Sequence, residues 1–282
     1  MKVCKSVEDV RSEIRALKNQ GKKIAFVPTM GALHAGHLSL IRKAHNHADE
    51  VVVSVFVNPE QFAPDEDYET YPRELETDLK KCRKENVSVV FTPSEEDIYG
   101  AEKYLSIQIS SLNETMCGKS RPGFFEGVLL VVNKLFNIIQ PDIAVFGQKD
   151  IQQFVIIEQM VKEFNHNVEL VMGEIGRAND GLALSSRNAY LDEKERVTAP
   201  GLYRALTYIK NQIESGVDTP KLLIEHQKSE LEAKGFKIDY LNVFSLTTLR
   251  PVKTLKKEIT YILAGAVWLG ETRLIDNILI EL

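Results

Sequence analysis

Short apolar segments alternate with helical patterns through the first 173 residues. The strand-like segments are runs of apolar, often β-branched residues at 23–28, 50–57, 87–91, 143–146 and 168–172. Between them, apolar residues recur every three or four positions, which predicts helices at 37–47, 74–85, 127–139 and 151–164. Strands and helices that alternate in this way form a parallel sheet covered by helices. We therefore predict an α/β, Rossmann-like domain over residues 1–175.

The pattern changes after about residue 173. Residues 174–190 are rich in Gly, Ser, Asn and Arg, which is typical of a loop. Two long helices are predicted next, at 192–214 and 219–234, followed by strands at 238–244, 259–268 and 273–278. This order predicts a smaller C-terminal α+β domain over residues 176–282, which we expect to act as a lid on a hinge near residue 175.

Composition and charge exclude several classes of protein. A chain of 282 residues buries about three-quarters of its surface on folding, so its core needs no disulfides or metals. The formal net charge of −5 argues against a dedicated nucleic-acid binder. The three cysteines lie far apart and show no metal-ligand spacing, which favours a reducing compartment and predicts no metal site. With no signal peptide and no segment long enough to cross a membrane, we expect a soluble, cytoplasmic protein.

The most informative segment is PTMGALHAGH at residues 28–37, which links the first predicted strand to the first predicted helix. Ligands bind at such turns because they lie at the carboxyl edge of a parallel sheet. Gly31 and Gly36 allow a ligand to approach the backbone, and a helix start with free N–H groups suits phosphate. His34 and His37 are three residues apart and can face the same anion. In the alternative interpretation, the glycines only form turns and the histidines only cap the helix.

Two later strand-to-helix turns also carry polar side chains. Segment 56–62 (FVNPEQF) presents amides from Asn58 and Gln61, which suit a carboxylate or an uncharged polar group. Segment 146–150 (FGQKD) offers Lys149 as a phosphate contact, with Asp150 suited to cap a helix or to bind a ribose hydroxyl or a metal. Both segments also fit a purely structural role in capping and turns.

Two loops add cationic groups and hydroxyls. Segment 117–128 (CGKSRPGFFEGV) contains three glycines, Lys119 and Arg121, but it lacks the spacing of a P-loop. Segment 180–188 (DGLALSSRN) lies near the predicted hinge, where adjacent hydroxyls and an arginine suit a mobile polyphosphate clamp. Four of the five candidate segments thus fall at strand-to-helix turns or at the hinge.

Taken together, these segments resemble the pantoate–β-alanine ligase (pantothenate synthetase) family of the HxGH nucleotidyltransferase superfamily. The matching strings are PTMGALHAGH (28–37), FVNPEQF (56–62), CGKSRPG (117–123), KLFN (134–137), FGQKD (146–150) and DGLALSSRN (180–188). The resemblance implies an AMP-forming carbon–nitrogen ligase. Such an enzyme condenses pantoate with β-alanine to pantothenate through a pantoyl-adenylate and releases AMP and pyrophosphate.

The resemblance also implies roles for individual residues. The groups expected to hold the ATP phosphates are His34, His37, Lys149, Ser185, Ser186 and Arg187, and four of these, His34, His37, Lys149 and Arg187, are expected to be catalytic. The other expected ATP-binding residues are Met30, Gly31, Gly147, Gln148, Asp150, Gly176 and Leu184. Pantoate and β-alanine are expected at Gln61, Gln153, Asn58 and Arg121. The family further implies Mg²⁺ on the phosphates with few protein ligands, a homodimer, and neither nucleic acid nor a membrane as partner.

Some positions depart from the family pattern, and other functions stay open. The departures are Ala35, Phe124, Gly176 and Leu184, where the family often has an acidic residue, His, Val and Met. One alternative is a nucleotidyltransferase that leaves AMP on a phosphorylated acceptor, and the amides of Asn58, Gln61 and Gln153 argue against it. Another is a relative of class I aminoacyl-tRNA synthetases, against which the net charge of −5 counts. A nucleotide sensor is the alternative that is not an enzyme.

Overall fold

The computed structural model describes residues 1–64 and 66–282. The strands are Lys2–Cys4 (β1), Ile24–Thr29 (β2), Glu50–Val55 (β3), Val89–Phe91 (β4), Ile143–Gly147 (β5), Glu169–Gly173 (β6), Lys237–Ser245 (β7), Thr260–Leu269 (β8) and Thr272–Glu281 (β9). The helices are Val7–Asn19 (α1), Ala35–His45 (α2), Leu75–Lys84 (α3), Glu95–Tyr99 (α4), Met116–Ser120 (α5), Phe124–Ile139 (α6), Ile151–Glu163 (α7), Glu193–Thr198 (α8), Gly201–Glu214 (α9) and Lys221–Ala233 (α10). Short 3₁₀ turns occupy Pro59–Gln61, Gln148–Asp150 and Ser186–Tyr190.

The chain divides into two compact units. The first consists of Met1–Ser110, Arg121–Gln148 and Ile156–Glu174, and the second of Ser111–Ser120, Lys149–Val155 and Ile175–Leu282. The second unit therefore contains two short segments from the earlier part of the chain, which the sequence did not predict. The division into domains at residue 175, with a lid and a hinge, stays a prediction.

The first unit is built on a parallel sheet with strand order β1-β4-β3-β2-β5-β6. Ala25, Val27, Val51 and Val53 of β2 and β3 form part of a buried cluster with apolar residues of α2 and α3. Their neighbours in β2, such as Phe26, point to the other face and are also buried. Burial on both faces explains the continuous apolar runs in the sequence and confirms the predicted α/β parallel-sheet fold.

A close helix contact fixes one of the loops of this unit. A Cβ on Gly127 in α6 would lie 1.9 Å from the carbonyl oxygen of Glu60, so only glycine allows α6 to approach the turn Pro59–Gln61 this closely. The helix begins at Phe124, three residues before its predicted start, because Gly123 adopts the left-handed conformation (φ 82°) that precedes the first turn.

The second unit contains the antiparallel sheet β7-β8-β9. Leu206 and Ile209 of α9 and Ile224 of α10 are buried in one cluster with Leu263 and Ile280 of the sheet. The predicted smaller α+β part is thereby confirmed. The other side of β9 faces different segments, because Arg273 contacts Cys117 of α5.

Some predicted elements were wrong or missing. The helix predicted at 192–214 is two helices, α8 and α9, because Pro200 lacks an N–H and stands before the first residue of α9. Strand β1 and helix α1 were not predicted, although α1 has Ser6 as a regular N-cap. Within residues 1–64 and 66–282, no helix is both long and apolar enough to cross a membrane.

Candidate active site

The carboxyl edge of the parallel sheet collects the predicted site residues of the first unit. The chain runs from β2 to the neighbouring β3 on one side, whereas β5 lies on the other side of β2. Such a reversal of strand order opens a crevice beyond the carboxyl ends of the strands, where ligands bind. Met30 and Gly31 follow β2, the turn Pro59–Gln61 follows β3, and Gln148 follows β5. The predicted segments therefore meet at this edge, as parallel strands require.

The side chains of His34 and His37 cap the start of α2. The Nδ1 atom of His34 accepts the N–H of Gly36 at 3.2 Å, and the Nδ1 atom of His37 accepts the N–H of His34 at 3.3 Å. A nitrogen that accepts a hydrogen bond carries no proton, so each neutral ring holds its proton on Nε2. The expectation of free amides is therefore wrong for His34 and Gly36. Nδ1 of each ring therefore forms a cap, and Nε2 is the ring nitrogen that carries the proton.

The loop before these histidines is held by Asp78 of α3, which sequence reasoning missed. Its two carboxylate oxygens accept the N–H groups of Ala32 and Leu33, both at 2.8 Å. Burial raises the pKa of this carboxyl group, and the two amides oppose the shift. Gly31 and Ala32 both have positive φ (87° and 49°). Glycine adopts this conformation without strain, but Ala32 does not, and the bond from Asp78 to the Ala32 N–H stabilises it.

A sequence signal for Asp78 existed. Leu75, Leu79 and Cys82 define the predicted apolar face of this helix. Asp78 follows Leu75 by three residues and precedes Cys82 by four, so it lies on the same face. In the structure Asp78 is 1% exposed, whereas Leu75, the first residue of α3, is exposed. An acid on the buried face of a helix indicates a specific partner, here the loop amides.

The amides of Asn58 and Gln61 behave differently from each other. Asn58 is 1% exposed, and its Nδ2 donates to Gln61 Oε1 and to the carbonyl of Gly127, both at 3.1 Å. Its Oδ1 accepts the Tyr99 hydroxyl at 2.5 Å and the N–H of Glu60 at 3.2 Å. These four bonds use the full capacity of an asparagine amide. Asn58 therefore orients Gln61.

Only part of the hydrogen-bonding capacity of the Gln61 side-chain amide is used within the protein. Its Nε2 donates to the Met30 sulfur at 3.0 Å, which joins the turn after β3 to the residue after β2. Sulfur is a weak acceptor. One N–H and one oxygen lone pair of the Gln61 amide have no partner among the described residues, so the amide can still bind a polar ligand.

Arg121 is tied down by an acid from the loop that follows Gln61. Its Nε lies 2.6 Å from Glu66 Oε1, and its Nη2 lies 2.5 Å from Oε2 of the same carboxylate. Nη2 also donates to the Gln61 carbonyl at 3.2 Å. The guanidinium carbon stacks 3.6 Å from the ring centre of Phe124, one of the departures from the family pattern. Phe124 thus supports Arg121 by packing and by a cation–π interaction.

In the second unit, Lys149 and Asp150 lie at the end of the turn that follows β5. Lys149 Nζ is 3.6 Å from an Asp150 carboxylate oxygen, and the Asp150 side chain is 48% exposed. The next two glutamines differ. Gln152 is buried and binds Leu112, Thr115 and Gly118 of the short segment 111–120, whereas Gln153 is half-buried. Gln152 therefore fixes this segment, and Gln153 is the more accessible amide.

The motif at 180–188 forms a hairpin followed by a 3₁₀ turn. Residues 177 and 183 pair as an antiparallel bridge, and the N–H of Leu184 donates to the carbonyl of Gly176 at 2.8 Å. The Ser185 hydroxyl then accepts the N–H of Arg187 at 3.3 Å and caps the turn Ser186–Tyr190. The sequence did not reveal that Arg177 closes this hairpin by donating to the Gly181 carbonyl at 3.0 Å.

The predicted residues therefore fall into two sets. The first unit holds Met30, Gly31, His34, His37, Asn58, Gln61, Arg121, Gly147 and Gln148, and the second holds Lys149, Asp150, Gln153, Gly176, Leu184, Ser185, Ser186 and Arg187. Across residues 1–64 and 66–282, no group of three or more His, Cys, Asp or Glu side chains is arranged to hold a metal ion. The donors present suit a polyanion and a small polar acid.

Comparisons with known proteins agree with this chemistry. The sequence model of the Pantoate-beta-alanine ligase family matches residues 2–279. The pantothenate synthetase of Caldicellulosiruptor saccharolyticus is 46% identical over 282 residues, with complete coverage of both chains. That of Pseudomonas savastanoi pv. phaseolicola is 44% identical and covers 99% of this chain and 98% of its own.

Solved structures agree as well. The crystal structure of pantothenate synthetase from Thermus thermophilus superimposes with a TM-score of 0.91 at 38% identity, with 99% of both chains covered. The Francisella tularensis pantoate-beta-alanine ligase, solved in complex with beta-gamma ATP and beta-alanine, gives a TM-score of 0.82 at 36% identity. It covers 99% of this chain and 97% of its own. These matches confirm the resemblance, and the chain belongs to the pantoate–β-alanine ligase family.

Proposed function

We propose that this chain condenses pantoate with β-alanine at the expense of ATP, in two steps at one site. The observation that carries the proposal is the pairing of two chemistries at the carboxyl edge of one sheet. The imidazole donors of His34 and His37 follow β2, and the partly used amide of Gln61 follows the adjacent β3. The first suits a polyphosphate, and the second suits an acid that carries hydroxyl groups.

In the first step, a carboxylate oxygen of pantoate attacks the α-phosphorus of ATP. The new O–P bond gives pantoyl-adenylate, and the bond to the β-phosphate breaks to release pyrophosphate. Such a transfer needs positioning and charge neutralisation more than covalent help from the protein. We assign Lys149, Ser185, Ser186 and Arg187 to the phosphates as cations and hydroxyl donors. MgATP is the proposed form of the nucleotide, and the ion would neutralise charge on the phosphate oxygens.

We assign His34 and His37 to the departing pyrophosphate as hydrogen-bond donors. Each ring keeps its Nδ1 as an acceptor within the cap, so Nε2–H is the atom that donates. Protonation of Nδ1 would turn that acceptor into a donor facing a backbone N–H. With Nδ1 engaged in each cap, we assign the rings to pyrophosphate as hydrogen-bond donors through Nε2.

In the second step, the uncharged amine of β-alanine attacks the acyl carbon. The C–N bond forms, the C–O bond to AMP breaks, and the amine loses a proton, which gives pantothenate and AMP. We assign Gln61 and Gln153 to pantoate. Asn58 acts behind Gln61 because all of its hydrogen-bonding capacity is used within the protein. Arg121 stays close to Gln61 through the Gln61 carbonyl, and Phe124 and Glu66 hold it there.

The remaining ATP contacts are proposed at the ends of β2 and β5 and in the hairpin before the turn Ser186–Tyr190. These are Met30, Gly31, Gly147, Gln148, Asp150, Gly176 and Leu184. We further propose a cytoplasmic homodimer whose substrates are small molecules. The net charge of −5 supports the absence of a nucleic-acid partner.

The proposal is tested by following oxygen. The protein is incubated with MgATP, β-alanine and pantoate whose carboxylate carries ¹⁸O, and the products are analysed by mass spectrometry. Pantothenate and AMP containing one ¹⁸O atom are expected, because the C–O bond breaks in the second step. A stable adenylylated acceptor would instead indicate a nucleotidyltransferase, and unchanged substrates would indicate a sensor. Either result would overturn the proposal.

A further inference from the structure

The last strand, β9, carries two adjacent polar residues that are buried. Asp276 is 4% exposed and Asn277 is 2% exposed. Buried polar side chains need hydrogen-bond partners, and successive side chains of a strand point to opposite faces. The partners of these two residues lie in two different segments of the second unit. Lys149 belongs to the motif at 146–150, and Arg177 stands three residues before the motif at 180–188.

Asn277 holds the backbone of Lys149. Its Nδ2 atom donates to the Lys149 carbonyl oxygen at 3.0 Å. This bond fixes the main chain at the residue whose ammonium group we assign to phosphate. The Lys149 side chain is long and flexible, so the position of its backbone determines which positions its Nζ atom can reach.

Asp276 holds the hairpin that precedes the 3₁₀ turn Ser186–Tyr190. Its carboxylate accepts two hydrogen bonds from the Arg177 guanidinium, at 2.6 and 2.8 Å. Arg177 also donates to the Gly181 carbonyl and stacks 3.9 Å from the centre of the Tyr203 ring. Arg177 is thus fixed on three sides. It pairs with Ala183 across the hairpin, two residues before Ser185.

We propose that Asp276 and Asn277 are positioning residues for the phosphate contacts of the second unit. Asn277 places Lys149, and Asp276 acts through Arg177 on the segment Ser185–Arg187. The proposal rests on the function proposed above, because that function makes these segments phosphate contacts. One rigid strand thereby sets the spacing of two phosphate-binding segments that are about thirty-six residues apart in the chain. Both residues lie in the C-terminal part of the chain, outside every motif used for the resemblance.

A double-mutant cycle distinguishes positioning from a general structural role. The rate measured is pantoate-dependent exchange of labelled pyrophosphate into ATP. Asn277→Ala is expected to lower it about tenfold to a hundredfold, the range for a small misplacement of a catalytic group. In a Lys149→Ala background the same substitution should cost less than about twofold, since the group that it places is already gone. In an Arg187→Ala background the full loss should remain.

The role of Asp276 is tested in the same way. Asp276→Asn should lower the exchange rate in the wild-type background and lower it by a smaller factor in an Arg187→Ala background, where one of the groups that it places is already gone. Asn242→Ala, on β7 of the same sheet, is the matched control, because the Asn242 side chain accepts a hydrogen bond from the adjacent Val243 within its own strand. It should leave the exchange rate unchanged. Equal losses for Asn277→Ala in all backgrounds would overturn the positioning role.

A readout that needs no activity completes the test. Hydrogen–deuterium exchange of the whole, ligand-free protein should show faster uptake in residues 148–155 for Asn277→Ala, and in residues 176–187 for Asp276→Asn. Unchanged uptake in those segments would overturn the proposal. If the wild-type protein showed no pantoate-dependent exchange, the proposed function would fail, and the deuterium uptake would still decide whether β9 fixes these segments.

Discussion

The rings of His34 and His37 lie with their centroids 4.1 Å apart, and each accepts a backbone N–H through Nδ1. Nδ1 of each histidine therefore caps the helix, and Nε2 is the ring nitrogen that carries the proton. The two interpretations of the HxGH segment, helix caps and anion contacts, therefore do not exclude each other. This relationship predicts that stability and catalysis depend on different ring atoms, and isosteric substitutions test it.

Replacing His37 by asparagine should remove the donor but keep the cap. The Asn Oδ1 atom lies near the position of Nδ1 and can accept the N–H of His34, whereas nothing replaces Nε2–H. We expect His37→Asn to unfold near the wild-type temperature and to lower ATP–pyrophosphate exchange by about 10²–10³-fold. Amide formation from supplied pantoyl-adenylate should change far less, because no pyrophosphate leaves in that step. Equal damage to both steps would make His37 a general organiser of the site.

Lys149→Ala and Arg187→Ala should each lower turnover by about 10²–10³-fold, the range for removing one group that stabilises transition-state charge. Their melting temperatures should barely change. Lys162→Ala on α7 is the control for loss of a surface cation, since Lys162 is exposed. Steady-state kinetics and thermal unfolding of the three variants check this expectation. Unfolding of either site variant would show that its side chain is structural.

Asp78→Asn should damage the loop that carries the histidines. An asparagine can accept at only one of the two positions that Asp78 uses, so one of the buried amides of Ala32 and Leu33 loses its partner. The expected loss in the free energy of unfolding is about 1–3 kcal/mol. Turnover should fall as well, because Ala32 can relax from its positive φ angle and the loop before His34 can shift. Glu76→Gln, on the exposed side of α3, should change neither quantity in urea unfolding or kinetic assays.

The cysteines should be inert in the folded protein. Cys4, Cys82 and Cys117 are all buried and free, and burial raises the pKa of Cys82 to about 11. Only the thiolate is nucleophilic, and at pH 8 a thiol with this pKa has about a hundredfold less thiolate than one with its ordinary value of 9.0. Iodoacetamide at pH 8 should therefore label Cys82 only after unfolding, and labelling should speed up as the pH rises. Rapid labelling of native protein, read by peptide mass spectrometry, would contradict the buried position.

The sequence predicted the parts of the fold that local patterns determine. Continuous apolar runs identified β2, β3 and β5, and the parallel arrangement that follows from them placed Met30, Gln61 and Gln148 at one edge. The contacts of Asp78 and Asn277 were out of reach, since they join residues 46 and 128 positions away along the chain. Pro200 lacks an N–H, so the sequence contained the signal for the break between α8 and α9. The prediction missed it because the helical pattern continues on both sides.

The central claim is that an acyl-adenylate forms before the amine takes part. The most direct test is to incubate the protein with MgATP, pantoate and labelled pyrophosphate, without β-alanine, and to measure label in ATP. The account predicts rapid exchange that depends on pantoate, followed by release of AMP and formation of the amide when β-alanine is added. Absence of exchange at saturating pantoate, or exchange only in the presence of β-alanine, would contradict it.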